Sequence, residues 1–99
     1  MAILYESDEK IQRLLEKSVD CNGKRVIDIG CGDGQLALSI AARTEKTVGI
    51  DPDLEDIKLA RQNTTATLLG RVEFFDTSIE DFKPNTTSPF DIALYLWSL

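Results

Sequence analysis

Between Val26 and Ala37 the chain reads VIDIGCGDGQLA, with one carboxylate, Asp28, inside an apolar run and glycines at Gly30, Gly32 and Gly34. Glycine adopts backbone angles closed to other residues and lets a ligand touch the main chain. A turn of this kind between strand and helix usually holds a nucleotide. The amides that open the helix, near Gly34 and Gln35, favour an anionic group. Two frames fit the spacing. Counted from Gly32, the run Gly32-x-Gly34-x-x-Ala37 meets the dinucleotide pattern, but it leaves Gly30 and Cys31 spare and gives Asp28 no role. Counted as three alternating glycines behind an acidic residue, it suits a ligand with one carboxylate and a cationic amine. Beside a pyrophosphate the charge of Asp28 would repel.

A second carboxylate, Asp51, ends the stretch TVGID seventeen residues after Gly34. An acceptor-only group at a strand end can take hydrogen bonds from both hydroxyls of a ribose. NAD-binding folds use an acidic residue in the same way, so Asp51 does not separate the two frames. Helix capping is the other use for such an Asp, and Asp53 fills that position better.

These residues need elements to hold them. Ile11, Leu14, Leu15 and Val19 share one face of a helix over residues 8–19, capped by Ser7 or Asp8 and ended by Asn22-Gly23. A short strand follows over 25–29, then a mostly buried helix over 35–43 and a second strand over 47–51. Asp53 caps a helix over 54–62 with Leu54, Ile57 and Ala60 inward. Gly70 marks a turn, residues 72–75 a third strand and residues 83–89 a surface loop. Residues 90–96 form an almost continuous apolar strand, as a central parallel strand requires. Strands alternating with helices imply parallel βαβ units, hence an α/β, doubly wound parallel sheet of the Rossmann-like kind with about four strands. The expectation is a single domain over 1–99 that stops with its fourth strand, the first half of a larger sheet. The outer edge of that strand would be open and would invite self-association.

Composition narrows the chemistry. Ninety-nine residues make one small domain, which can bury roughly two-thirds of its unfolded surface. A net charge of -6 with scattered Lys and Arg argues against a nucleic-acid or anionic-membrane surface. There is no histidine, so a His-based zinc site or base is excluded, and Cys21 and Cys31 are not a metal-like pair. No apolar stretch approaches the ~18 residues of a membrane span. The N-terminus lacks the pattern of an export signal, so a cytoplasmic location is expected. Asn63-Thr64-Thr65 and Asn85-Thr86-Thr87 are then chance matches to the glycosylation pattern.

Asp28-Ile29-Gly30-Cys31-Gly32-Asp33-Gly34 resembles the first motif of class I S-adenosylmethionine-dependent methyltransferases. The resemblance continues in order: VGIDPDLEDIKLAR is similar to that family's second strand, acidic end and next helix; VEFFDTSIEDF to its third strand and adenine loop; FDIALYLWSL to its fourth strand. It covers Val26 to Leu99.

The resemblance implies S-adenosyl-L-methionine as cofactor. Gly30, Cys31, Gly32 and Gly34 would line its methionine part, with Asp28 near the amine. Asp51 would hold the ribose, and Pro52 would pack beside the adenine. The third motif departs from the family: Ser78 stands where an Asp often takes the adenine amine, with Ile79 next to it, and Asp76 is a rival two residues earlier. Asp81 reads as a capping or solvated carboxylate and Asp91 as structural. Tyr95 and Leu96 would approach the methionine side, and Trp97 the acceptor. The implied reaction is methyl transfer to an acceptor that these residues do not identify, with the isolated chain inactive. An NAD-type oxidoreductase and a non-catalytic cofactor-binding module remain alternatives.

Overall fold

Five short apolar runs pair into one all-parallel sheet, and the helices over 35–41 and 54–62 pack on one of its faces. The computed structural model describes residues 2–4, 20–83 and 90–95. The helix expected over 8–19, residues 84–89 of the expected loop, and Leu96 and Trp97 lie outside the described residues. The elements are β1 (Ala2–Leu4), β2 (Arg25–Ile29), α1 (Gln35–Ala41), β3 (Lys46–Ile50), α2 (Leu54–Gln62), β4 (Val72–Phe75) and β5 (Ile92–Tyr95). Strand order is β1-β5-β2-β3-β4. All four expected strands are present, and β1 adds a fifth at the outer edge of β5. Ala2, Ile3 and Leu4 stand in register with Ile92, Ala93 and Leu94, so the edge expected to be open is paired.

Side chains alternate across the sheet, as the strand period of two dictates. One face carries Val26, Ile92 and Leu94, packed with Cys21, Leu36 and Ile40. On the same face Val72 and Phe74 pack with Ala37 and Ala41 of α1 and with Ile57 and Ala60 of α2. Leu54, expected inward, is 44% exposed. It is the first residue of α2, before the apolar stripe turns onto the sheet. The opposite face carries Ile27, Val48, Ile50 and Ala93, joined by Phe75, Phe82 and Phe90. The Phe82 ring lies 5.9 Å from Phe75 and 6.4 Å from Phe90, so residues after β4 fold back over this second face.

Chain order and strand order disagree at one place. From β2 the chain moves outward through β3 to β4, then returns to place β5 on the other side of β2. Crevices at such a reversal, beyond the carboxyl ends of the strands, are where open α/β sheets take ligands. The glycine turn lies there, directly after β2.

Candidate functional site

All three alternating glycines take left-handed angles, with φ of +77° at Gly30, +56° at Gly32 and +85° at Gly34. Gly30 is therefore not spare, and the triple spacing, rather than the dinucleotide one, accounts for the backbone path. The turn is tied to its neighbour strand: the Gly30 and Cys31 amides both donate to the Ile50 carbonyl, at 2.8 and 3.0 Å. The Gly34 amide donates to the Cys31 carbonyl at 3.0 Å and closes the turn.

The glycines differ in what surrounds them. A Cβ added at Gly32 would meet only Asp56 Oδ2, 3.9 Å away, so this position borders open space. A Cβ at Gly34 would fall 2.8 Å from Phe74 Cζ and 2.9 Å from Ala60 Cβ, so this glycine faces the core. Gly34, expected among the ligand-lining residues, is thus held by packing and by its own amide bond.

Asp51 follows β3 and reaches back to the turn. Its Oδ2 accepts from the Gly32 amide at 3.0 Å and its Oδ1 from the Asp53 amide at 2.8 Å. Two backbone donors thus fix the carboxylate plane before any ligand arrives. Asp53 caps α2 as expected, accepting from the Glu55 and Asp56 amides at 3.0 and 3.3 Å. The Phe75 carbonyl accepts from both Asp51 and Thr77 amides, at 3.2 and 3.1 Å, which joins the end of β3 to the loop after β4.

The remaining expected positions scatter around this centre. Asp28 is fully buried in β2, between Gly49 and Leu94 in register, so it is not at the surface of the crevice. Tyr95 ends β5 in register with Ile29, across the strand-order reversal from the turn. Pro52 is exposed. Ser78 Oγ donates to Asp81 Oδ2 at 3.1 Å and accepts from the Asp81 amide at 3.3 Å, so in this state it caps the turn that follows. Ile79 is exposed. Asp76 faces Arg61 at 3.9 Å. Asp91 holds the start of β2, its Oδ2 accepting from the Arg25 amide at 2.9 Å, as its structural reading required.

Electrostatics mark the crevice as acidic. The Asp56 carboxyl is pushed up by partial burial first, then by the charges of Asp53, Asp51 and Asp33. Sequence reasoning did not gather these four aspartates into one field, although their spacing around the turn and the helix start was visible. Cys31 is buried in the turn, and its thiol is pushed far above the usual cysteine range by burial, then by Asp28 and Asp51. It is a packing residue in that state, not a nucleophile.

A cavity of about 590 Å3 lies elsewhere, on the second face of the sheet. Val48, Phe75, Phe82, Phe90, Arg25 and Lys46 are among its walls, and none of the glycine turn or Asp51 is. Among the described residues no cluster of His, Cys, Asp and Glu could hold a metal ion, and no helix is long and apolar enough to cross a membrane.

Residues 20–95 match the family model described as "Methyltransferase domain". A ubiquinone biosynthesis O-methyltransferase of Vibrio atlanticus is 30% identical over 84 residues, 85% of this chain and 35% of that protein. An rRNA N(6)-adenosine-methyltransferase of Caenorhabditis elegans is 32% identical over 90 residues, 85% of this chain and 41% of that protein. Among solved structures, an RNA methyltransferase from Salinibacter ruber, in complex with S-adenosyl-L-homocysteine, superposes with a TM-score of 0.72 at 27% identity. That match covers 93% of this chain and 60% of the other. The chain thus spans less than half the length of the sequence relatives it matches.

Proposed function

The chain belongs to the methyltransferase domain family, and from that premise we propose that it is the cofactor-holding part of a class I S-adenosylmethionine-dependent methyltransferase. One observation carries the reading: the Gly32 amide and the Asp51 carboxylate meet at 3.0 Å at the mouth of the crevice. This contact joins the glycine turn to a ribose-type acceptor, beside open space at Gly32.

The donor set fits the cofactor's charges. Its sulfonium and ammonium are cations, and the site is acidic: the Asp56 carboxyl is pushed up by desolvation first, with the charges of Asp53, Asp51 and Asp33 adding to it. The same field opposes a pyrophosphate, which counts against an NAD-type ligand. When bound, the cofactor supplies a methyl already activated on sulfur. The chain's task is therefore positioning, and good alignment can contribute roughly 7–11 kcal/mol. Asp51, its plane fixed by two amides, keeps lone pairs for ribose hydroxyls. Gly32 leaves the ligand room at the main chain, with Gly30 and Cys31 holding the turn's entry. Pro52, Ser78 and Ile79 would border the adenine, Ser78 only after its hydroxyl leaves Asp81. Tyr95 would border the methionine side. Asp28 would act through the turn rather than by contact.

The described residues do not identify the methyl acceptor. We also propose a reducing, cytoplasmic setting, supported by two free buried thiols, Cys21 and Cys31. Titration calorimetry with S-adenosylhomocysteine and with NAD tests the function. Heat of binding with the first and none with the second is expected; binding of NAD alone would overturn the reading.

A further inference from the structure

We infer that Phe74 is a positioning residue for the glycine turn, and through it for the cofactor; this rests on the function proposed above. Phe74 lies on β4 in register with Gly49 of β3 and is 4% exposed. A Cβ at Gly49 would fall 2.6 Å from Phe74 Cδ1 and 2.9 Å from Cys31 Sγ, just as one at Gly34 would strike Phe74 Cζ. One aromatic ring therefore fills a slot that two glycines leave open, one in the turn and one in the neighbouring strand.

The ring is held from the other side as well. Arg61 Nη2 donates to the Phe74 carbonyl at 2.8 Å, which fixes the backbone from α2. Ala60, one residue earlier on that helix, closes the slot. The turn cannot sink toward the sheet while the ring is there, and close-packed interiors transmit such displacements instead of absorbing them. The thickness of the ring sets the height of Gly34, and with it the position of Gly32, two residues earlier, against Asp51. Gly32 and Gly34 thus divide the work: one faces the ligand, the other rests on Phe74.

Gly49 offers a clean test because, unlike Gly34, it needs no left-handed backbone. Gly49→Ala adds a methyl that meets the ring at 2.6 Å and the Cys31 thiol at 2.9 Å, so the contact between ring and turn must shift. S-adenosylhomocysteine affinity of the full chain is expected to fall by about tenfold or more, the scale of an overpacked core. Adding Phe74→Leu frees the space, and the double variant should recover most of that loss. Ile92→Val, in the core cluster beneath α1, serves as the control: it lowers thermal stability and should leave affinity unchanged. The backbone amide resonance of Gly32 provides a second readout. It should shift in Gly49→Ala and return in the double variant.

Unchanged affinity in Gly49→Ala, or a loss that the double variant does not recover, overturns the role of Phe74. If Gly49→Ala does not fold, Phe74→Leu alone is measured. A shifted Gly32 resonance with weakened binding supports the inference, and an unmoved resonance overturns it. If the wild type binds no S-adenosylhomocysteine, the proposed function fails, while the Gly32 resonance still decides whether the ring sets the turn.

Discussion

Gly32 and Asp51 are nineteen residues apart in sequence and share a 3.0 Å hydrogen bond, amide to carboxylate, across the mouth of the crevice. Asp51 is thereby a clasp on the turn, and under the proposed function it is also the ribose acceptor. Asp51→Ala should weaken S-adenosylhomocysteine binding by about 1.5–3 kcal/mol, the scale of charge-assisted hydrogen bonds. It should also lower the melting temperature, because the Gly32 and Asp53 amides lose their acceptor. Asp51→Asn keeps one acceptor oxygen and should fall between. Calorimetric titration beside thermal melts of the same samples measures both effects; an Asp51→Ala chain with wild-type affinity removes Asp51 from the site.

The glycines should separate by readout. Gly32→Val places a branched side chain in the open space where the ligand meets the backbone, so binding should be lost. Gly34→Ala should show first as lost stability, since its Cβ enters the space of Phe74 and Ala60. Ala37→Gly should leave binding nearly intact and cost about 0.5–1 kcal/mol of stability, as for a glycine inside a helix. A binding defect that follows Ala37 and favours NAD would restore the dinucleotide frame.

Both thiols should resist alkylation in the folded chain. Burial pushes Cys31 up, with Asp28 and Asp51 adding to it, and burial also raises Cys21, with Arg43 pulling partly back. The thiolate is the reactive form, and little of it exists at neutral pH under those conditions. Mass spectrometry after iodoacetamide treatment should show no label until denaturant is added. Rapid native labelling at Cys31 would contradict the buried turn.

Asp56 should leave a signature in the pH dependence of stability. Its raised folded value means that the folded chain holds its proton more tightly than the unfolded chain does. The resulting stabilisation is complete below the ordinary aspartate range and is lost as pH rises through the folded value. Asp56→Asn should lack this decline, so the stability curves of variant and wild type should converge or cross across the carboxylate range. Parallel curves in melts recorded from acid to neutral pH would remove Asp56 from the acidic field.

Methyl transfer should need more than these residues. The chain alone is expected to bind cofactor and not to turn over, since it spans less than half the length of the methyltransferases it resembles. Sedimentation should also reveal whether the outer edges, β1 and β4, pair between copies, as exposed strand edges tend to. A monomer that methylates a defined acceptor unaided would overturn both expectations.

Much of the architecture was legible because it rests on local signals. The Asp53 cap and the apolar stripe gave Leu54–Gln62 with its bounds, and β4 followed from a compact aliphatic-aromatic run. Strand β5 begins at Ile92 rather than at Phe90, whose ring lies 6.4 Å from that of Phe82. Helix α1 stops at Ala41 rather than Arg43. Beyond it Thr44, buried, bonds Ala41 and Thr47. What could not be read was set at a distance. Three residues, Ala2–Leu4, carry no period, and only the register with β5 makes them a strand. That Gly34 rests on Phe74 and Ala60 could be seen only in the folded chain. The bond between Ser78 and Asp81 was likewise not legible.

The place of β5 between β1 and β2 has a consequence for how the molecule comes into being. β2, β3 and β4 can associate in the order in which they are synthesised, with short loops to close. The crevice wall opposite them exists only after Ile92–Tyr95 has inserted between β2 and β1, a contact spanning nearly the whole chain. Contacts of such long range slow folding, since loop entropy is spent before they form. A nascent chain would therefore carry its glycine turn and Asp51 for some time as half a cleft. Affinity for the nucleotide would rise only once Ile92–Tyr95 is in place, so ligand capture would report the insertion of β5.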